Sequence, residues 1–299
     1  MILIKLGGSI ITDKSEYRVF NKERVSRLCR EISESGVPAI VVHGAGSFGH
    51  IIAKRFSIQN GYSGPEQIPA VAQIQQDVRE LSLMVVKELN SCGLPAVSVP
   101  PGSVMISDSG TPSFVCTEPL AALWKTGIMP VLFGDVLMDR TKGFSICSGD
   151  DIIRLLADVF DPEKIIFVSD VNGLYTSNPK TDPDAELIRE VTEEKLRSVS
   201  ASQTVDDVTG GVAGKMRSML DLCGKGRECI LINGTVPGNL AAAIKGEIAE
   251  CTIARNRNVH TQQESRTYQD LRRRKNRPRL LLLGRRQVLS QRPPGDRCR

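Results

Sequence analysis

Short runs of β-branched and aliphatic residues recur along the first 255 positions, most of them followed by stretches whose apolar residues fall three and four apart. Runs at 2–6, 39–43, 96–99, 129–133, 164–168, 229–232 and 251–253 are read as strands, because continuous apolar runs suit strands buried on both faces. The intervening pattern predicts helices at 22–34, 67–90, 150–160, 192–199 and 211–222. Alternation of this kind predicts an α/β fold, an open, mostly parallel sheet sandwiched by helices. The helix at 67–90 places Val71, Ile74, Val78, Leu81 and Val85 on one face, which suits core packing and would also serve as the wall of an apolar ligand pocket. A new strand–helix series opens near Pro162, dividing the expected fold into lobes at 1–160 and 161–255.

Composition narrows the class. With 299 residues, 40% hydrophobic and 24% charged, the chain is an ordinary globular one with enough apolar sequence for a sizeable core. Aromatics at 4% are too few for a base-stacking platform. No apolar run reaches the roughly 18 residues of a membrane span, so no membrane partner is expected. The opening ILIKLGGS reads as a strand entering a turn, not as a signal peptide. Eight scattered cysteines without CxxC spacing read as reduced thiols, which predicts a cytoplasmic protein.

The net charge of +5 is unevenly spread. From Asn256 onward there are 13 Lys and Arg against 3 Asp and Glu, which leaves 26 against 31 in the first 255 residues. The body is mildly acidic and the segment 256–299 strongly basic. Such a segment can contact nucleic acid, but RRRKNRPRLLLLGRR has neither helical nor strand period. It is therefore set apart from the fold as disordered or non-native sequence, and no nucleic-acid partner is expected for the folded domain.

Three glycine-rich turns carry the chemistry. Lys5-Leu6-Gly7-Gly8-Ser9 ends the first strand, where backbone N–H groups can close on phosphate oxygens while the ammonium neutralises them. Lys14 follows within reach of the same point. The run His43-Gly44-Ala45-Gly46-Ser47-Phe48-Gly49-His50 matches GxGxxG but fails as a dinucleotide fingerprint. It lies on the second strand, and GYSGPEQIPA stands where an acidic strand end would be needed. It can still bind a phosphate, with His50 as a donor at the helix opening or as a cap of that helix. His43, at a strand end, reads as structural.

The third turn, Thr209-Gly210-Gly211-Val212-Ala213-Gly214-Lys215-Met216, lacks the first glycine and the Ser or Thr of a Walker loop. A lysine in the first turn of a helix still makes an anion site. Ser148-Gly149-Asp150-Asp151 opens another helix, with one carboxylate suited to capping and one to orienting lysines. No serine–histidine–acid order or metal-ligand spacing supports a hydrolase or a metalloenzyme. Three lysines and three glycine turns without an obvious nucleophile describe phosphoryl transfer.

Together these motifs resemble the amino-acid kinase superfamily. The opening KxGGS, the loop from Ser169 to Tyr175, Asn178-Pro179 and the TGG…GK helix start are similar to its nucleotide lobe. HGAGSFGH, ending in His50, narrows the resemblance to its isopentenyl phosphate kinases, over about residues 1–255. The resemblance implies transfer of the γ-phosphate of ATP, with Mg2+, to the small-molecule substrate isopentenyl phosphate in isoprenoid biosynthesis. It implies Lys5, Lys14, His50, Asp150 and Lys215 as catalytic residues. ATP would contact Lys5, Gly8, Ser9, Gly46, Asp170, Gly173, Tyr175, Gly211 and Lys215. The acceptor would contact Gly44, Ala45, Gly46, His50 and Gly149.

The resemblance further implies an acceptor lobe at 1–160, a nucleotide lobe at 161–255, no metal held by protein ligands alone, and a homodimer. The residues themselves agree with a phosphate acceptor, since a carboxylate would call for an arginine fork. Another phosphorylated or phosphonate acceptor is the alternative. A non-catalytic nucleotide-binding module with a nucleic-acid-docking tail is the reading from another class, disfavoured because all three lysines are present.

Overall fold

The computed structural model describes residues 1–13, 15–177, 182–202, 211–224, 226–248 and 250–255. Met1–Arg257 form one compact unit, and residues from 256 onward, with Lys14, lie outside the described ones. In chain order, β1 (Ile2–Leu6) runs into the single turn α1 (Gly8–Ile11), and α2 (Lys22–Ser35) returns to β2 (Ala39–His43). Then come α3 (Gly46–Arg55), the long α4 (Gln67–Ser91) and β3 (Ala96–Ser98). The hairpin β4 (Met105–Asp108) and β5 (Thr111–Phe114), α5 (Glu118–Lys125) and β6 (Met129–Phe133) follow. A second hairpin, β7 (Asp135–Asp139) and β8 (Gly143–Cys147), leads to α6 (Gly149–Phe160) and β9 (Lys164–Ser169). The remainder is β10 (Leu174–Tyr175), β11 (Leu187–Ile188), β12 (Glu190–Val191), α7 (Glu193–Ser202), α8 (Gly211–Cys223), β13 (Glu228–Asn233), α9 (Asn239–Lys245) and β14 (Thr252–Arg255).

Eight strands form the main sheet in the order β12-β14-β13-β9-β1-β2-β6-β3. Every pairing is parallel except β13 with β14. The continuous apolar runs have a physical reason: each strand supplies two cores at once. Ile2, Ile4 and Leu6 of β1 face α2, α3, α4 and α9, whereas Leu3 faces α6 and α8. The same alternation divides β2, where Val41 joins the first core and Ile40 and Val42 the second. The apolar stripe of α4 packs into the first core through Ile74, Val78, Leu81 and Val85. Truncating the fully buried Leu81 to alanine would cost roughly 2–5 kcal/mol.

The four-stranded sheet β5-β4-β7-β8 is absent from the sequence reading, which took residues 100–147 to hold one strand. Its strands are short and broken by turns. Asp139 staples the two hairpin tips together, accepting backbone N–H bonds from Ser109 (3.1 Å), Gly110 (2.7 Å), Thr141 (3.0 Å) and Lys142 (2.8 Å). Despite the opposing effect of burial, those donors hold its carboxyl well below the usual range. The last strand is Thr252–Arg255, one residue later than its apolar run suggests, and it closes antiparallel on β13. No helix among the described residues is long and apolar enough to cross a membrane.

Candidate active site

Four strand ends meet in a row because their backbone ladders continue past the sheet. Gly7 N–H donates to Val168 O, Gly44 N–H to Leu6 O and Gly134 N–H to His43 O, each at 2.9 Å. The turns after β9, β1, β2 and β6 are thereby brought side by side at the carboxyl edge, where open α/β sheets bind ligands. They can approach so closely only as glycines. A Cβ on Gly44 would stand 2.7 Å from Gly8 N, and one on Gly46 would fall inside Thr12, whose hydroxyl receives the Ser47 N–H at 3.0 Å. Gly46 also has a φ of 52°, which an L side chain rarely adopts.

Lys5 follows from the alternation of β1. Two residues after Leu3, it points to the α6 side, where α6 begins with a capping box between Ser148 and Asp151. That box leaves Asp150 for another task, and its Oδ1 lies 2.6 Å from Lys5 Nζ. Lys5 is 18% exposed and Asp150 62%, so the pair sits at the mouth of the site and not in the core. Gly149 keeps that mouth narrow: a Cβ there would approach Lys5 Cε to 3.2 Å. On the other side, Ser9 Oγ donates to Asp170 Oδ1 at 2.9 Å, joining the first glycine turn to the end of β9.

A cleft of ≈ 160 Å³ opens over this row, lined by Lys5, Gly8, Gly44, Ala45, His50, Gly149 and Asp150. Its far wall is apolar, made by Ala53, Ile74, Val136 and Ile146. Ile74 belongs to the helix whose stripe suggested such a wall. Val136, Ile146, Gly134 and Asp135 escaped the sequence reading, although the alternation in VLFGDVLMD and GFSICSGDD signals a hairpin that ends at the acidic pair. Asp135 is buried, which pushes its carboxyl up to about 6 against the opposing pull of Arg79, 3.6 Å away. A larger groove of ≈ 450 Å³ between α2 and α4 is polar and remote from the glycine turns, so size does not locate the chemistry.

His43 and His50 part company. His43 is fully buried, stacked on Phe133 at 5.3 Å, and its Nδ1–H donates to Gly44 O at 2.9 Å. Burial pushes its imidazole down to about 4. His50 stands exposed on α3 at the cleft. Ser9, Gly46, Asp170, Gly173, Tyr175 and Lys215 are not among the described residues lining the cleft, and the surroundings of Gly211 lie outside what is described. Gly173 packs so tightly on Thr252 that a Cβ would stand 2.9 Å from its backbone nitrogen. Lys215 is exposed near the start of α8, a helix that packs on β10, which carries Tyr175. Lys14, and Thr209 and Gly210 of the third turn, lie outside the described residues.

A profile of the amino acid kinase family matches residues 1–233. Isopentenyl phosphate kinase of Methanothermobacter thermautotrophicus is 37% identical over 256 residues, covering 83% of this chain and 96% of that protein. The enzyme of the same name from Thermoplasma acidophilum is 33% identical over 79% of this chain and 93% of its own. An X-ray structure of isopentenyl phosphate kinase superposes with a TM-score of 0.74 at 33% identity, over 85% of this chain and 99% of that one. The T. acidophilum isopentenyl phosphate kinase product complex superposes with a TM-score of 0.71 at 29% identity, over 85% and 100% of the two chains. With the family profile, these relatives and the superposed structures in agreement, the chain belongs to the amino acid kinase family, on the branch that holds the isopentenyl phosphate kinases.

Proposed function

We propose that the protein transfers the γ-phosphate of ATP to isopentenyl phosphate, yielding isopentenyl diphosphate for isoprenoid biosynthesis. The observation that carries this is one cleft in which Lys5, Asp150, His50 and the glycine turns face an apolar wall of Ala53, Ile74, Val136 and Ile146. Backbone N–H groups and a histidine suit a terminal phosphate, and the wall suits a short hydrocarbon behind it. No arginine stands among the described residues lining the cleft, as a carboxylate acceptor would call for.

The acceptor's own phosphate oxygen is the nucleophile, so the protein has to align and neutralise. His50, with the backbone of Gly44, Ala45, Gly46 and Gly149, holds the acceptor. Lys5, aimed by Asp150, neutralises the migrating phosphoryl group, and Lys14 and Lys215 complete that neutralisation. Gly8, Ser9, Gly46, Asp170, Gly173, Tyr175 and Gly211 hold the nucleotide. Gly8 and Gly44 have no room for a Cβ, so the two glycine turns lie in backbone contact, an arrangement that suits phosphate binding by neighbouring N–H groups. Magnesium bound to those phosphates supplies further charge neutralisation.

The main sheet supports a division of labour. Its strands from residues 1–160 all lie on the β1 side of the β1–β9 pair, and those from 161–255 on the β9 side. The first half is the acceptor lobe and the second the nucleotide lobe. A cytoplasmic homodimer is the assembly we propose, supported by the family's basic unit and by the free thiols of all the described cysteines. ADP release with isopentenyl phosphate, glutamate, N-acetylglutamate and UMP as alternative acceptors tests the function. Turnover confined to isopentenyl phosphate is expected, and comparable turnover on a carboxylate acceptor would overturn it.

A further inference from the structure

A cluster of charged side chains away from the cleft ties the loop after α1 to α4. The ends of this loop are closed, since Asp13 N–H donates to Val19 O at 3.0 Å and Thr12 pairs with Phe20. At Arg18 the backbone turns left-handed, with φ 63°. Asp77 of α4 holds it there. Its fully buried carboxylate accepts the Tyr17 hydroxyl on one oxygen. The other oxygen meets Arg18 Nη1 at 3.2 Å and Gln73 Nε2 at 2.8 Å. Arg18 Nη2 reaches Glu80, which Gln76 holds in turn at 3.0 Å. The guanidinium also sits 5.7 Å over the ring of Phe48 on α3. Burial and the bond to Asp77 push the Tyr17 hydroxyl up to about 12, so it remains a donor at neutral pH.

Only Asp77 of the cluster is fully buried, Arg18 and Glu80 being about a third exposed. A carboxylate buried in an ion pair is a poor device for stability alone, because an apolar side chain of similar volume packs as well or better. What this one does is geometric. Ile74 lies one turn before Asp77 on α4 and lines the cleft, and Phe48 lies two residues before His50 on α3. The cluster therefore fastens the loop to the two helices that wall the acceptor side. In sequence, the loop carries Lys14.

We propose that Asp77 is a positioning residue: it fastens Tyr17 and Arg18 to α3 and α4, and so sets the turnover that depends on Lys14, three residues before Tyr17 in sequence. This rests on the reading of Lys14 as a lysine of the transferring phosphoryl group. The test is steady-state kinetics with ATP and isopentenyl phosphate for Tyr17→Phe and Asp77→Asn, each alone and combined with Lys14→Ala, with thermal midpoints alongside. Tyr17→Phe loses only a hydroxyl, so it should keep its fold and its KM for ATP while kcat falls. Asp77→Asn should lower kcat further, towards the roughly hundredfold loss that follows a misplacement of about 1 Å. In the Lys14→Ala background neither substitution should lower kcat again. A low kcat for Lys14→Ala beside wild-type kcat in both loop variants overturns the proposal alone, as do losses that simply add to that of Lys14→Ala. Wild-type turnover in Lys14→Ala overturns the reading of that lysine and the proposal with it. If Asp77→Asn fails to fold, the Tyr17→Phe pair decides.

Discussion

Gly8 and Gly46 touch backbone to backbone: a Cβ on Gly8 would lie 2.7 Å from Gly46 N and 2.8 Å from its Cα. Neither neighbour is a flexible side chain, so an added methyl can be accommodated only by separating the turn after β1 from the turn after β2. The phosphate binding proposed for these turns depends on that spacing. Gly8→Ala should therefore lower kcat/KM by about a hundredfold or more. Gly36→Ala is the control, at a left-handed φ of 64° with open space around it. It should lose roughly 1–2 kcal/mol of stability from backbone strain and retain its kinetics. Near-normal catalysis by a folded Gly8→Ala would show that the paired turns do not form the cradle.

The buried His43 gives the protein a pH dependence separate from catalysis. Its imidazole is held at about 4, against 6.5 for the unfolded chain. Between those values the unfolded chain takes up a proton that the folded one refuses, so stability falls as pH falls. Asp135, pushed up to about 6, works in the opposite sense, with stability falling as pH rises from 3.8 to 6. The two partly mask each other in the wild type. Denaturant unfolding of wild type and His43→Leu, compared from pH 7 to 4, isolates the histidine. The wild type should lose up to roughly 3 kcal/mol relative to the variant over that range. Parallel profiles would show that His43 titrates normally.

Asp150 offers a cleaner separation of catalysis from stability. Its contact with Lys5 is 2.6 Å, but its side chain is 62% exposed. Exposed ion pairs contribute little to folding. Asp150→Asn should leave the thermal midpoint within error while kcat drops, because Lys5 loses the partner that aims it. A variant with wild-type kcat would make the pair a surface contact without a role in turnover.

Residues from 256 onward should be dispensable. The compact unit closes at Arg257, and β14 ends the main sheet at Arg255. A segment with 13 basic and 3 acidic residues and no apolar period lacks the means to build a core of its own. A chain ending at Arg257 should match the full one in kcat, KM and thermal midpoint. A lower midpoint after truncation would show that the segment contributes to folding.

Seven of the main sheet's eight described strands were legible as short apolar runs, and β1, β2 and β6 match their runs residue for residue; the two-residue β12, Glu190–Val191, is too short to leave a pattern. The hairpin β7–β8 was not legible, because its apolar positions are interrupted by the exposed Met138 in one strand and by the buried but polar Ser145 in the other. Half of the cleft's apolar wall, Val136 and Ile146, was lost with it. Lys5, Gly8, Gly44, His50 and Asp150, which line the cleft, were legible, since glycines and charges at strand ends leave a local mark. Their convergence was not, because it depends on parallel strands placed side by side by crossovers that sequence spacing does not encode. The Asp77 cluster was invisible for the same reason: Tyr17 and Asp77 are 60 residues apart.

His50 gives the sharpest test of how the cleft is divided. It stands on α3, at the helix opened by the second glycine turn, and lines the cleft together with Ile74 and Val136 of the apolar wall. The nucleotide is assigned to the opposite side, around Ser9 and Asp170, which are joined at 2.9 Å. Removing the imidazole should therefore act on one substrate only. His50→Ala should raise the KM for isopentenyl phosphate or abolish turnover, with ATP binding nearly intact. The loss of one charge-stabilising donor is about a hundred- to thousandfold. His50→Gln keeps a donor of similar reach and should recover part of the activity, which the loss of a merely helix-capping residue would not produce. Unlike His43, His50 is exposed, so neither variant should shift the thermal midpoint appreciably. Steady-state kinetics with each substrate varied in turn, together with ATP binding by calorimetry, decides the matter. An alanine variant that weakens ATP binding as much as acceptor binding would move His50 out of the acceptor site.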